Sequence, residues 1–210
     1  MTFNDAVRRA VVIVALSAAA LVAGCSFTRP APVKESYLLE PALPEPAAGA
    51  KAASLRVGTV SVSAPFRGRS FVVRESEFKF ESDFYREFFV PPGVMVAEST
   101  ARALARGKVF ADVTRPGVVV DTDWVLDAFV GALYADARDA GKAEAVMQVT
   151  YYLSRDDGGS SAPVWSHAYI KRVAFTSTNT GAYVSALNSA FSEILSDLIR
   201  DLAAAELPAK

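Results

Sequence analysis

The chain predicts an α+β fold, a mostly antiparallel sheet with two helices packed on one face. Three observations lead there. Segments alternating with a period of two recur between residues 55 and 175. Two segments, 94–106 and 180–207, repeat their apolar residues at three- and four-residue steps. Proline, glycine and short polar runs punctuate the chain between them.

The first strand-like island is Tyr37-Leu38-Leu39, large apolar residues in a row inside a Pro-rich run, and it is expected to dock as a short strand. Residues 55–64 alternate, with Leu55, Val57, Thr59, Ser61 and Ser63 on one side and Arg56, Gly58, Val60 and Val62 on the other. Pro65 stops that strand, and Arg67-Gly68-Arg69 turns the chain into strand 70–74. Residues 78–90 read as strand, aromatics with interleaved charges that suit a pleated surface, closed by Pro91-Pro92-Gly93. Helix 94–106 gathers Val94, Ala97, Ala101, Leu104 and Ala105 near one face, and Gly107 sits where a helix would stop.

A short strand at 109–113 and a turn at Arg115-Pro116-Gly117 precede the long strand 123–135. There Trp124, Leu126, Ala128, Val130, Ala132 and Tyr134 face opposite to Val125, Asp127, Phe129, Gly131 and Leu133. Residues 137–141 are a polar loop; strand 143–154, a hairpin loop at 155–161 and an antiparallel return at 164–175 complete the sheet. The last helix, 180–207, aligns Tyr183, Leu187, Phe191, Ile194, Leu198 and Leu202 as a stripe expected to meet the sheet, with Thr178 or Asn179 as its cap.

Ahead of this domain lies a processing signal. Arg8 and Arg9 precede an apolar run too short for a stable bilayer span, and the run ends in Leu21-Val22-Ala23-Gly24-Cys25. Cys25 is the only cysteine, and Val22-Ala23-Gly24-Cys25 resembles the lipobox of bacterial lipoproteins, in which the peptide is cut before the cysteine and its thiol is acylated. The pattern divides the chain into a removed signal peptide (1–24), a lipidated Cys25 with a Pro-rich linker (25–54) and a single periplasmic α+β domain (55–210). Two or three acyl chains on Cys25 hold a protein stably on a leaflet, whereas one does so only marginally. Ser26, rather than Asp, follows the cysteine, and by resemblance to enteric lipoproteins this implies export to the periplasmic face of the outer membrane.

The net charge is −1, and losing Arg8, Arg9 and Asp5 with the signal makes it one unit more negative. No basic excess is present to hold nucleic acid. The compartment is oxidising, yet no second cysteine exists for an intramolecular disulfide, so the core alone must stabilise the domain.

The order of landmarks resembles a known family. A lipobox and linker are followed by Tyr37-Leu38-Leu39 and the strand Arg56-Val57-Gly58-Thr59-Val60-Ser61-Val62. Then come Asp83-Phe84-Tyr85-Arg86-Glu87-Phe88-Phe89-Val90-Pro91-Pro92-Gly93, Thr100-Ala101-Arg102-Ala103-Leu104 and a long C-terminal helix. This is similar to the ABC-type transport auxiliary lipoproteins, which accompany MCE-domain lipid transporters, the paraquat-inducible system among them. The resemblance implies an accessory component that moves phospholipid or other hydrophobic cargo between the inner and outer membranes. Its partners would be an MCE-domain protein with its permease and ATPase, and self-association is left open. The resemblance implies no catalytic residues and no cofactor.

The residues themselves point to no enzyme. Zinc needs three or four converging ligands, and the chain has one histidine, His167, on a strand beside Trp165 and Tyr169. A Gly-x-Ser-x-Gly elbow, a phosphate-binding Gly-x-x-x-x-Gly-Lys loop and a dinucleotide fingerprint are all missing from the sequence. Asp121 with Asp123, and Asp156-Asp157-Gly158-Gly159, lack the spacing of a complete metal loop and read as solvated strand ends. The candidate contact residues are Phe78, Phe80 and Phe84, with Arg67 and Arg69 at the preceding turn. Two readings of the phenylalanines stay open, a core role or an exposed apolar patch that meets a partner or an acyl chain. The anchor and linker would equally serve an envelope scaffold without a transport role.

Overall fold

The computed structural model describes residues 33–47, 50–118, 120–139, 141–157, 162–176 and 179–208. The expected signal peptide (1–24), Cys25, Ser26 and the first part of the expected linker lie outside the described residues, as do Gly158, Gly159 and Thr178. In chain order the strands and helices are β1 (Glu35–Tyr37), β2 (Lys51–Val62), β3 (Ser70–Arg74), β4 (Phe80–Phe88), α1 (Pro92–Gly107), β5 (Phe110–Thr114), β6 (Trp124–Asp136), β7 (Glu144–Arg155), β8 (Trp165–Ala174) and α2 (Thr180–Ala204). A 3-10 turn at Ala64–Phe66 follows β2.

Strand β6 organises an eight-stranded mixed sheet. Along one edge it pairs antiparallel with β7 over its whole length, and β7 pairs antiparallel with β8. Its other edge is shared: Trp124–Val130 runs parallel to β2, and Ala135 and Asp136 run parallel to β3. Beyond β2 lies β5, and beyond β3 lie β4 and then β1. Antiparallel pairing joins β6, β7 and β8, whereas β2, as long as β7, pairs only in parallel, with β5 and β6.

Two bulges shift the alternation that the sequence predicts. In β6 the register slips between Val130 and Ala132, so Val130 lies opposite Val149 and Leu133 opposite Met147. Even-numbered residues face the helices before Gly131 and odd-numbered ones after it. In β2 the slip falls between Val57 and Val60. The Thr59 N–H donates to Asp127 Oδ1 at 2.6 Å, and a Cβ on Gly58 would lie 2.7 Å from Val125 Cγ2, so the close approach requires glycine. Val60 and Val62 consequently join the face of Leu55 and Val57, where strict alternation puts Thr59, Ser61 and Ser63 instead.

Both helices pack on the face that carries Tyr151, Tyr169 and Lys171. Tyr151 and Thr100 of α1 share a buried hydrogen bond at 3.0 Å. Tyr169 Oη donates to Asp201 at 2.9 Å, and Lys171 reaches Asp197 at 2.7 Å, both in α2. Leu187, Phe191, Ile194, Leu198 and Leu202 of α2 are fully buried in the core, as the apolar stripe requires. Asn179 caps α2 by accepting the Gly181 N–H at 2.8 Å. At the end of α1 it is Lys108, at φ 52°, that takes the left-handed position expected of Gly107.

The expected linker is partly folded structure. Lys34 begins a compact unit that continues to the C-terminus. Strand β1 pairs in parallel with Arg86–Phe88 of β4, two residues earlier than the Tyr37-Leu38-Leu39 island. Leu39 packs into the core, and the Glu40 and Ala42 N–H groups donate to Asn188 and Ser192 of α2 at 2.8 Å each. The Ala47 N–H donates to the Gly107 carbonyl at 2.8 Å. Of the stretch 25–54, the part from Lys34 onward is therefore built into the domain.

Candidate functional site

The aromatic segment divides between core and solvent. Phe88 is buried, its ring centroid 4.7 Å from Phe71, and Phe71 in turn packs edge-on to Tyr183 at 5.3 Å. Phe78, Phe84 and Phe89 project outward at 87%, 69% and 61% exposure, and Tyr85 is exposed beside them.

Local chemistry explains each placement. Strand β4 starts at Phe80 rather than Phe78, because residues 75–79 form the turn, closed by Glu75 N–H to the Lys79 carbonyl at 2.9 Å. Lys79 bridges Glu75 at 2.6 Å and Glu81 at 2.7 Å, which raises the lysine pKa, chiefly through Glu75, and lowers that of Glu81. Phe78 stands at this turn without aromatic neighbours among the described residues. Phe80 is half anchored: it meets Tyr134 edge-on at 5.5 Å and lies under the Arg74 guanidinium at 5.3 Å.

Phe84 and Tyr85 owe their exposure to a bulge. Asp83 Oδ1 accepts the Tyr85 N–H at 2.8 Å and the Arg86 N–H at 3.0 Å, an Asx turn that breaks the β3–β4 register. The two rings meet edge-on at 5.1 Å, and the Lys34 ammonium lies 4.9 Å from the Phe84 centroid. Lys34 and Arg69 converge on Glu87, at 3.4 and 2.9 Å, and Arg69 also donates to the Phe89 carbonyl at 3.1 Å. The result is a patch of exposed rings stitched to cations, at the point where the chain enters the folded unit.

The candidate residues named from sequence do not form one cluster. Phe84 and Arg69 belong to this patch, Phe80 packs on Tyr134, Phe78 stands at the turn, and Arg67 lies in a separate groove beside α1. Lys34, Tyr85 and Phe89 are patch members that sequence reasoning missed. The only signal for Lys34 was its position just ahead of a short strand, which does not say which strand it will join.

Asp123 and Asp156 tie neighbouring segments together, and His167 lies on the surface. His167 is exposed on β8, its ring 4.6 Å from Tyr169 and 6.3 Å from Trp165. Asp123 accepts the Ser54 N–H and hydroxyl at 2.9 Å each. Asp156 takes Arg56 at 3.0 Å and the Thr122 hydroxyl at 2.7 Å, and the Arg56 hydrogen bonds hold its pKa below the usual carboxylate range. Among the described residues no three His, Cys, Asp or Glu side chains gather around a metal position, and no helix is long and apolar enough to cross a membrane.

No protein-family model matches this chain, and no curated protein matches it in sequence. The fold recurs in solved structures. A Xanthomonas campestris protein of the DUF330 family is 19% identical, with 79% of this chain and 92% of that one covered at a TM-score of 0.69. An uncharacterised protein is 14% identical, with 81% and 99% covered at a TM-score of 0.61. A lipoprotein from Neisseria meningitidis, 15% identical over 73% and 99% of the two chains, reaches a TM-score of only 0.39 and diverges too far in geometry to bear on this chain. The chain therefore shares its fold with the Xanthomonas DUF330 protein.

Proposed function

We propose that the protein is a lipid-anchored periplasmic accessory component of an MCE-type ABC transport system, one that moves phospholipid or other hydrophobic cargo between the inner and outer membranes. The observation that supports a place at a membrane or partner surface is the position of Lys34 over the exposed Phe84 ring, at the first residue of the folded unit. With Cys25 acylated, residues 26–33 span at most about 30 Å, so the patch of Phe84, Tyr85 and Phe89 stays within reach of the lipid surface. Exposed rings beside cations suit a membrane interface or the apolar rim of a partner. The transport role rests on the resemblance of the sequence landmarks, and the outer membrane as destination rests on Ser26. The protein itself would be no enzyme; ATP hydrolysis belongs to another subunit of such a system.

The test is a mild-detergent purification of the acylated protein from its own membranes, with mass spectrometry of the co-purifying proteins. Recovery of an MCE-domain protein with its permease and ATPase is the expected result. Their absence, in a preparation where Cys25 carries its acyl chains, would overturn the transport role and leave an envelope scaffold. A Cys25→Ser variant is expected to lose palmitate labelling and to leave the membrane fraction.

A further inference from the structure

A groove of about 1200 Å³ runs between α1 and the second half of β2. It exists because two neighbours stop short. Strand β5 follows β2 only as far as the Arg56–Thr114 pair, while β2 continues to Val62. On the other wall α1 presents Gly93, Ala97, Ala101 and Ala105 at four-residue steps, leaving the space larger side chains would fill. The floor is apolar, made by Val60 and Val62, which the β2 bulge turns inward, and by Val113.

The rim is cationic. Arg67, Arg102 and Arg115 line the groove against a single carboxylate, Glu98. Elsewhere in the fold Arg56, Arg69, Arg138, Arg172 and Arg200 each clasp a carboxylate at 3.3 Å or less. The three groove arginines reach no carboxylate among the described residues, and Arg102 bonds only the Ser99 hydroxyl, at 3.1 Å. A guanidinium pairs in fork geometry with a carboxylate or phosphate. An apolar trough edged by unpaired guanidiniums is complementary to a molecule with a long apolar body and an anionic head. From Gly93 to Ala105 the helix wall measures ~18 Å. One acyl chain reaches across half of a hydrocarbon core, ~15 Å.

We propose that this groove binds the acyl chain of an anionic single-chain lipid, its carboxylate or phosphate head held at the rim by Arg102 and Arg115. The assignment stands on the groove and goes beyond the transport reading, so failure to recover an MCE protein leaves it untouched. The test uses the full acylated protein in phosphatidylcholine vesicles with a photoactivatable diazirine palmitate, followed by peptide mapping. Crosslinks are expected in β2 and α1, competed by palmitate and at least tenfold less well by hexadecanol, and not by inorganic phosphate. Ala105→Trp, at an exposed groove position, is expected to remove them, and Arg102→Glu with Arg115→Glu to weaken binding at least tenfold. Arg106→Glu, on α1 outside the groove, is expected to change nothing. Unchanged melting temperatures show that these variants remain folded. Crosslinks confined to residues 78–89, crosslinks insensitive to Ala105→Trp, or a co-purifying protein segment attached to α1 in place of the lipid would each overturn the proposal.

Discussion

Replacing Gly107 by alanine tests how α1 and α2 are held together. A Cβ there would lie 2.7 Å from Ile199 Cδ1 and 3.0 Å from both Cγ1 and Cγ2. Ile199 is 3% exposed and cannot swing into solvent. Overpacking of this kind costs about 1–3 kcal/mol, against a gain of about 1 kcal/mol when alanine replaces glycine in a helix. Gly107→Ala should therefore destabilise by about 1 kcal/mol. Ile199→Val removes Cδ1, the nearest atom, and alone should cost about 0.5–1.5 kcal/mol. In the double variant the new methyl group occupies the vacated space, so the combined loss should fall short of the sum by about 1 kcal/mol. Urea unfolding followed by far-UV circular dichroism, at constant m-value, measures all three. Additivity to within about 0.5 kcal/mol, or a stabilising Gly107→Ala, would refute the close helix contact.

Lys108 holds the left-handed position after α1, at φ 52°, so Lys108→Gly should stabilise by about 0.5–1 kcal/mol in the same unfolding experiment. Two buried tyrosines should behave oppositely. Tyr151→Phe leaves Thr100 without its partner and should cost about 1 kcal/mol, whereas the Tyr183 hydroxyl has no partner among the described residues, so Tyr183→Phe should be neutral or stabilising. The Asp136 carboxyl, 6% exposed, is clasped by Arg138 at 2.7 Å and Arg172 at 3.3 Å, and the Arg138 hydrogen bonds lead in depressing its pKa from 3.8 to about 2. A depressed carboxyl pKa contributes stability above its unfolded value, and that contribution disappears as pH falls through the folded one. With Arg138 partly in solvent, Asp136→Asn should cost about 1–2 kcal/mol at pH 7, a gap that closes between about pH 4 and pH 2 in urea midpoints.

Much of the element map was legible in the sequence. The α2 stripe from Tyr183 to Leu202, the cap at Asn179 and the β6–β7–β8 meander are written in local periodicity and turn chemistry, which act over a few residues. Sequence also singled out Phe78, Phe80, Phe84, Arg67 and Arg69, of which only Phe84 and Arg69 lie together in the patch around Glu87 and Lys34. What it did not reveal depends on contacts between distant segments. Asp127 bonding the Thr59 N–H creates the bulge that sends Val60 and Val62 inward, and the slip at Gly131 exchanges the two faces of β6. Lys34 finds Phe84 only because β1 adds to β4, and Arg67 parts from Arg69 only because the 3-10 turn aims them at different elements. By itself the sequence determined the α+β class and the order of its elements, since periodicity and turn spacing are properties of contiguous residues. Only the tertiary structure decided which aromatics stay exposed, where the folded unit begins and which arginines meet no carboxylate among the described residues, because each depends on residues that folding alone brings within a few ångströms.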